Sequence, residues 1–282
     1  MGRTENINVF QDTMNMCKDN DRIWESVHNS AEGQKLILEG AAIAEPDKKR
    51  YKEKARITVS KKRTFEAASG YRGTKTAVHN FASASNPGGG VERGANAQEE
   101  CLCRCSGLFK CLNAPDAWSG FYMAHRAEHN PIHNDDIIYT PDVLVFKSDT
   151  VKPELMDEAD WYTVDVITCA APNLREKPSN AFNTGDGKDA IKITDKDLLA
   201  IHEKRLRRIL DVALSNKVET IVLGAFGCGA FMNNPNVVAL ASKNVVNEYL
   251  YAFKNIEFAV YCSPKDDTNY RIFDGVLKPY TK

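Results

Sequence analysis

Apolar positions recur with helical spacing over the first 70 residues and then fall into alternating strand and helix patterns. Residues 7–17, 22–30 and 36–51 carry spaced apolar side chains without period-two alternation, which predicts helices in a polar N-terminal segment. Residues 57–59 read as a short strand. Residues 48–63 form a basic run, KKRYKEKARITVSKKR. Such a run either borders an acidic ligand or is a solvated face leading into the strand, and the second reading requires nothing further.

From Thr74 the pattern changes. Residues 76–82 predict a strand, and residues 96–108 a helix that begins near Glu99 and Glu100. Short strands at 136–139 and 143–146 flank Pro141. The run YTVDVITCA at 162–170 predicts a buried strand ended by Pro172. Residues 194–215 predict a long amphipathic helix, with Thr194 as its cap and an apolar face that includes Leu198, Leu206, Ile209 and Leu210. A β-branched strand comes next at 218–223. Pro235 opens a helix reaching to about residue 252, and 256–262 is the last strand. This order predicts an α/β fold, a sheet with helices on both faces. Ligands of such sheets collect at the carboxyl ends of the strands. Residues 177–189, rich in Asn, Gly, Asp and Ser, read as a mobile loop.

A chain of 282 residues, 43% hydrophobic and 9% aromatic, holds one large domain or two small ones with a substantial core. The net charge of -1 excludes a globally basic nucleic-acid binder and leaves room for a local basic groove. Eight cysteines over this length are not a disulfide framework. The N-terminus lacks the apolar core of a signal peptide, and no apolar run approaches the roughly 18 residues of a membrane span. The expectation is a soluble cytoplasmic protein with reduced thiols and no membrane partner, monomeric by default.

Two glycine-rich loops carry the chemistry. Gly88, Gly89 and Gly90 come after Asn86-Pro87 and precede, after seven residues, Gln98-Glu99-Glu100. Three missing β-carbons let backbone lie against a ligand. No Gly-Lys-Ser/Thr follows and G-x-G-x-x-G is absent, so this is neither a Walker loop nor a dinucleotide fingerprint. Acids in a first helical turn favour the positive end of the helix dipole, whatever else they do. Glu99 and Glu100, about 100° apart on the helix, cannot flank one bond symmetrically. One is therefore expected to transfer a proton and the other to orient sugar hydroxyls. Cleavage of a glycosidic bond needs such a carboxyl group. The second loop, Gly224-Ala225-Phe226-Gly227-Cys228-Gly229-Ala230-Phe231, comes after the strand at 218–223. It can converge N–H groups on phosphate oxygens, with Phe226 and Phe231 covering a ribose or base. The alternative is a tight turn that packs two aromatic rings.

Other clusters give less. Cys101 and Cys105 share a helix face, but Cys103 does not, and Cys111 adds no zinc-like pair, so these read as ordinary thiols with no metal. A nucleophilic Cys228 would need a base that has no candidate. His125, His129 and His133 recur every four residues, yet Pro131 breaks the helix that would align them, and a loop with ordinary histidines is expected. Asp165, inside an apolar strand, is either satisfied by a backbone partner or placed at a functional edge. Asn173 is a weak ligand candidate at the end of that strand.

The segments NFASASNPGGG, QEE, CSGL, IIYTPDVLVFK, VDVITCAAPN and VLGAFGCGAF, in this order and spacing, resemble the microbial-type poly(ADP-ribose) glycohydrolases. The resemblance runs from the N-terminal helices to Phe273. It implies a macrodomain-like mixed sheet between helices over residues 71–282, with residues 1–70 as a helical extension packed on it. It implies ADP-ribose along the strand ends and release of ADP-ribose from the free end of a polymer. Glu100 would be the acid/base, and Glu99 would bind ribose hydroxyls. Asn86, Gly88, Gly89, Gly90, Val91 and Gln98 would lie near the distal ribose and diphosphate. Gly224 through Phe231 would be the diphosphate loop, with Phe231 contacting the terminal ribose or phosphate region. No cofactor is implied. Two positions depart from the family pattern: Cys105 stands where a serine is usual, and Phe226 where relatives often carry Trp. Alternatives on the same fold are a mono-ADP-ribosyl hydrolase acting on protein or nucleic acid, and a non-catalytic ADP-ribose reader.

Overall fold

A computed structural model of the chain describes residues 1–43 and 46–281. Two helices open it, α1 (Arg3–Asp19) and α2 (Asp21–Glu32), where the apolar spacing predicts them. Asn20 between them caps α2, its side chain accepting from the Ile23 amide at 3.1 Å. The helix expected at 36–51 does not form. Strand β1 (Lys35–Ile37) stands at its start. Gly40 at φ +81° and Pro46 interrupt the segment beyond β1, and both oppose a helix interior. The backbone there bonds to neighbouring segments instead, with Glu39 N on Asp136 Oδ1 and Tyr51 N on the Tyr251 carbonyl. Residues 44 and 45 of that expected helix lie outside the described residues.

The chain continues through β2 (Arg56–Ser60), α3 (Thr64–Ala68), β3 (Thr76–Ala82), α4 (Gln98–Cys105) and α5 (Leu108–Leu112). Next come α6 (Pro115–Ala117), a π-helical turn over Trp118–Tyr122, and α7 (Met123–Glu128). The second half comprises β4 (Ile137–Val145), β5 (Tyr162–Ala170), α8 (Asp195–Ser215), β6 (Thr220–Leu223), α9 (Pro235–Val246), β7 (Asn255–Ala259) and α10 (Thr268–Leu277). The two short strands expected around Pro141 are one strand, β4, with a bulge between Thr140 and Val143 that absorbs the proline.

The strands pair in the order β1-β4-β5-β3-β6-β7-β2. β1, β4 and β5 run antiparallel to one another in turn, and β5-β3-β6-β7-β2 are parallel. The N-terminal segment thus supplies both edge strands. Parallel strands need both faces covered. One apolar cluster joins α8, α9 and α10 to one face through Ile209, Val238 and Phe273. A second joins α1, α3, α4 and α5 to the other through Phe10, Phe65, Leu102 and Leu108.

Helix α1 braces the helix that carries the paired acids. Thr13 Oγ1 donates to the Arg104 carbonyl at 2.6 Å, and Asn6 Nδ2 to the Gly94 carbonyl at 3.0 Å. Asp165 proves internally satisfied: it accepts from Tyr139 Oη at 2.5 Å, Asp142 N at 3.1 Å and Lys75 Nζ at 3.2 Å. His125 lies in α7 and is buried, not on a loop, while His129 and His133 sit in left-handed turns around Pro131.

Candidate active site

The carboxyl end of β3 builds the site. The chain leaves the sheet after Ala82 and returns as α4, whose first turn reaches back to the strand. Gln98 closes this turn. Its Oε1 accepts from Phe81 N at 2.9 Å, and its Nε2 donates to the His79 carbonyl at 2.8 Å and to Thr64 Oγ1 at 3.1 Å.

The two acids diverge, as adjacent helical positions must. Glu99 faces the sheet: Oε2 accepts from Ser83 N at 2.8 Å and Oε1 from Asn80 Nδ2 at 3.2 Å. Glu100 faces the glycine loop: Oε1 accepts from Gly90 N at 2.9 Å. Its Oε2 is buried without a partner among the described residues. Glu99 is 2% exposed and Glu100 7%. Burial first, and then the charge of Glu100, push Glu99 up to about 8, against the donors from Ser83 and Asn80 that favour its ionised form. Glu99 therefore holds its proton at neutral pH. Gly89 separates the acids from the loop. Its φ is +60°, and a β-carbon there would stand 2.6 Å from Glu100 Oε1 and 3.2 Å from Glu99 Oε2. Only glycine fits.

The second loop leaves β6 and passes over the same strand ends. Among the described residues the N–H groups of Gly227, Gly229, Ala230 and Phe231 have no acceptor. Converging free amides make an anion cradle. The loop is held from beneath by Asn233, whose Nδ2 donates to the carbonyls of Pro172 at 2.7 Å, Phe231 at 3.1 Å and Gly227 at 3.2 Å. Asn233 Oδ1 lies 2.8 Å from His202 Nε2. Burial lowers His202 to about 4, so it is neutral and can donate this bond in one tautomer.

Between the two loops lies a cavity of about 500 Å³. Gly89, Gln98, Glu99, Glu100, Ala225, Gly227, Gly229, Ala230 and Phe231 line it, so the sequence motifs meet there. The remaining candidates sit elsewhere. Val91 is in the core, and Gly88 packs against Phe109 and Cys103. Gly224 packs against Phe81 and the Ala259 carbonyl. Asn86 bonds Arg126 and the Phe182 carbonyl. Phe226 is turned into the core against His79 and His202, at ring distances of 4.4 and 5.5 Å, and does not line the cavity. Cys228 does not line the cavity, and burial pushes its thiol well up, away from nucleophilic use. The thiols of Cys101, Cys103, Cys105 and Cys111 are raised in the same way. Asn173 is buried and donates to Asp186 Oδ2 at 2.7 Å.

Sequence reasoning missed one wall of the cavity. Arg63, Asp149, Tyr261 and Asn269 line it, Arg63 and Tyr261 lying just beyond the ends of β2 and β7. The Arg63 guanidinium stacks over the Tyr261 ring at 4.1 Å and lies 3.9 Å from Asp149. Burial raises Asp149 to about 6 against the pull of Phe65 N and Arg63. Arg63 ends the basic run seen in the sequence and is the residue of that run that lines the cavity. Its other cations serve the surface, as Lys61 does with Asp267 and Lys48 with Glu248.

The chain belongs to the family described as microbial-type PARG, catalytic domain, whose model matches residues 4–148. Among solved structures it is similar to poly(ADP-ribose) glycohydrolase from Thermomonospora curvata. That match has a TM-score of 0.80 and 28% identity, over 97% of this chain and 100% of the other. It is also similar to the Deinococcus radiodurans poly(ADP-ribose) glycohydrolase in complex with ADP-ribose, with a TM-score of 0.73 and 29% identity, covering 90% and 97%. A point mutant of that protein, also with ADP-ribose, has a TM-score of 0.75 and 31% identity, covering 90% and 98%. No curated protein matches the chain in sequence. Among the described residues no helix is long and apolar enough to cross a membrane.

Proposed function

We propose that this chain is a poly(ADP-ribose) glycohydrolase that cuts ribose-ribose O-glycosidic bonds from the free chain end and releases ADP-ribose. The observation that carries the reading is Glu100. One carboxyl oxygen is fixed by the Gly90 amide, and the other is buried and unpartnered at the wall of a cavity between two glycine loops. The family and the similar solved structures support the activity.

ADP-ribose lies with its diphosphate on the free amides of Gly227, Gly229, Ala230 and Phe231, and its terminal ribose against Phe231 and the paired acids. Glu100 donates from Oε2 to the departing ribose oxygen as the glycosidic bond breaks. Positive charge develops at the anomeric carbon, where the Glu100 carboxylate and the diphosphate stabilise it. Glu100 then takes a proton from water as the water attacks that carbon. Glu99, bonded to Ser83 and Asn80, orients ribose hydroxyls and holds Glu100's neighbourhood rigid.

The test is release of ADP-ribose from purified polymer by wild type and by Glu100→Gln, with calorimetric binding of ADP-ribose to both. Release should fall at least ~100-fold in the variant, the worth of a general acid/base, with binding retained. Equal turnover by the two proteins would remove Glu100 from the chemistry. Binding without release by wild type would leave the mono-ADP-ribosyl hydrolase or the reader.

A further inference from the structure

A cation beside Glu100 is free. Among the described residues Arg93 makes no ion pair and no side-chain hydrogen bond. Its Nη2 lies 3.9 Å from the point that a Gly90 β-carbon would occupy, and Glu100 Oε1 lies 3.6 Å from that same point. The guanidinium stacks over the ring of Phe182 at 4.7 Å. Phe182 is 65% exposed. Neither residue lines the cavity, so the pair stands outside it, beside the glycine loop.

The placement of Phe182 is built, although it falls in the segment read as a mobile loop. The Phe182 carbonyl accepts from Asn86 Nδ2 at 3.3 Å, and Asn86 Oδ1 accepts from Arg126 Nη2 at 2.5 Å. Asp186, four residues on, is buried and accepts from Ser85 Oγ at 2.5 Å and Asn173 Nδ2 at 2.7 Å. The loop after β5 is thus tied to the loop that precedes the glycines, and it presents an aromatic face and an unpaired guanidinium beside the acid. An open aromatic ring suits a base, and a free guanidinium suits a phosphate.

A polymer cut at Glu100 has two sides: the unit kept in the cavity and the unit that departs. We propose that Arg93 and Phe182 bind the departing ADP-ribose unit, the guanidinium taking its diphosphate and the ring its adenine. This rests on the glycohydrolase reading. It accounts for the position of Asn86, which does not line the cavity and instead bonds the Phe182 carbonyl.

The test uses the Glu100→Gln protein, so that ligands survive, and measures affinity for ADP-ribose and for a purified oligomer of two ADP-ribose units. The oligomer should bind roughly 10-fold tighter, the scale of one charged hydrogen bond or one stacked base. Adding Arg93→Ala or Phe182→Ala should remove most of that excess and leave ADP-ribose affinity within about twofold. Arg93→Lys, which keeps charge and loses the planar fork, should remove part of it. Equal affinity for the two ligands overturns the proposal. So does a loss of ADP-ribose affinity in Arg93→Ala that matches the loss for oligomer, because Arg93 would then serve the retained unit. Release from polymer by wild type, measured in parallel, tests the parent reading: release without the oligomer preference discards the patch alone, and no release discards the glycohydrolase whatever the affinities.

Discussion

The amide of Gly90 donates to Glu100 Oε1 at 2.9 Å, and Gly89 beside it leaves no room for a β-carbon, which would stand 2.6 Å from the same oxygen. The glycine run is therefore a mould for the acid as much as an approach for ligand.

Gly89→Ala tests that mould. Its left-handed backbone costs about 1–3 kcal/mol for a residue with a side chain, and the new methyl must push Glu100 away. A displacement of about 1 Å at a reacting group costs on the order of 100-fold in rate. The variant should melt several degrees lower yet remain folded, while ADP-ribose release drops by about two orders of magnitude. Unchanged release, read beside the melting curve, would mean that Glu100 is placed by something other than the loop.

Glu99 sets a pH dependence of stability. Its folded pKa, about 8, lies above the ordinary 4.5. The folded protein thus holds more protons than the unfolded chain between these values, and stability falls as pH rises through that window. Glu99→Gln removes the titration and keeps an acceptor for Ser83 N. Relative to wild type the variant should gain stability from pH 5 to pH 9, by a few kcal/mol at most, in denaturant midpoints measured at both values. A constant difference across that range would place the proton elsewhere.

Gln98 is legible in the sequence only as part of a motif, and in the fold it closes the turn that carries both acids. Gln98→Ala strands the Phe81 amide and the His79 carbonyl at the end of β3. A buried group left unpaired costs about 1–3 kcal/mol. The loss should appear in thermal stability first and in ADP-ribose release second, because the turn it closes carries both acids. A variant as stable as wild type would show that water replaces all three bonds.

Legibility in the sequence divides along physical lines. The strands β3 and β5 can be read to the residue because buried central strands are rich in β-branched and apolar residues, here broken only by His79, Asn80 and Asp165. Both glycine loops fall where the pattern puts them because each comes directly after such a strand. The helix expected at 36–51 is absent because its spacing is helical while Gly40, Pro46 and long-range backbone partners decide the conformation. Helix α10, beyond the last strand, escapes the pattern altogether. Phe226 and Phe231 are equivalent in sequence, and only packing distinguishes them: one ring fills the core against His79, the other faces the cavity. Arg63, Asp149 and Tyr261 come from three distant segments, and no local pattern joins them. Arg63 and Tyr261 have only a weak signal, their places just beyond the carboxyl ends of β2 and β7.

Asn233 offers the sharpest separation of binding from folding. Its amide nitrogen holds three carbonyls, two of them within the loop that carries the free N–H groups, and its oxygen faces His202. Asn233→Asp keeps the size and the acceptor but replaces the shared donor with an oxygen, which repels all three carbonyls. The loop should loosen while the sheet beneath it stays intact. ADP-ribose affinity should fall at least roughly 10-fold, equivalent to about 1.4 kcal/mol, in calorimetry. Thermal stability should fall by an amount typical of one buried unsatisfied group, about 1–3 kcal/mol. His202→Ala, which removes only the partner of Asn233 Oδ1, should move affinity in the same direction by less. Affinity equal to wild type in Asn233→Asp would mean that the free amides of the second loop do not hold the diphosphate.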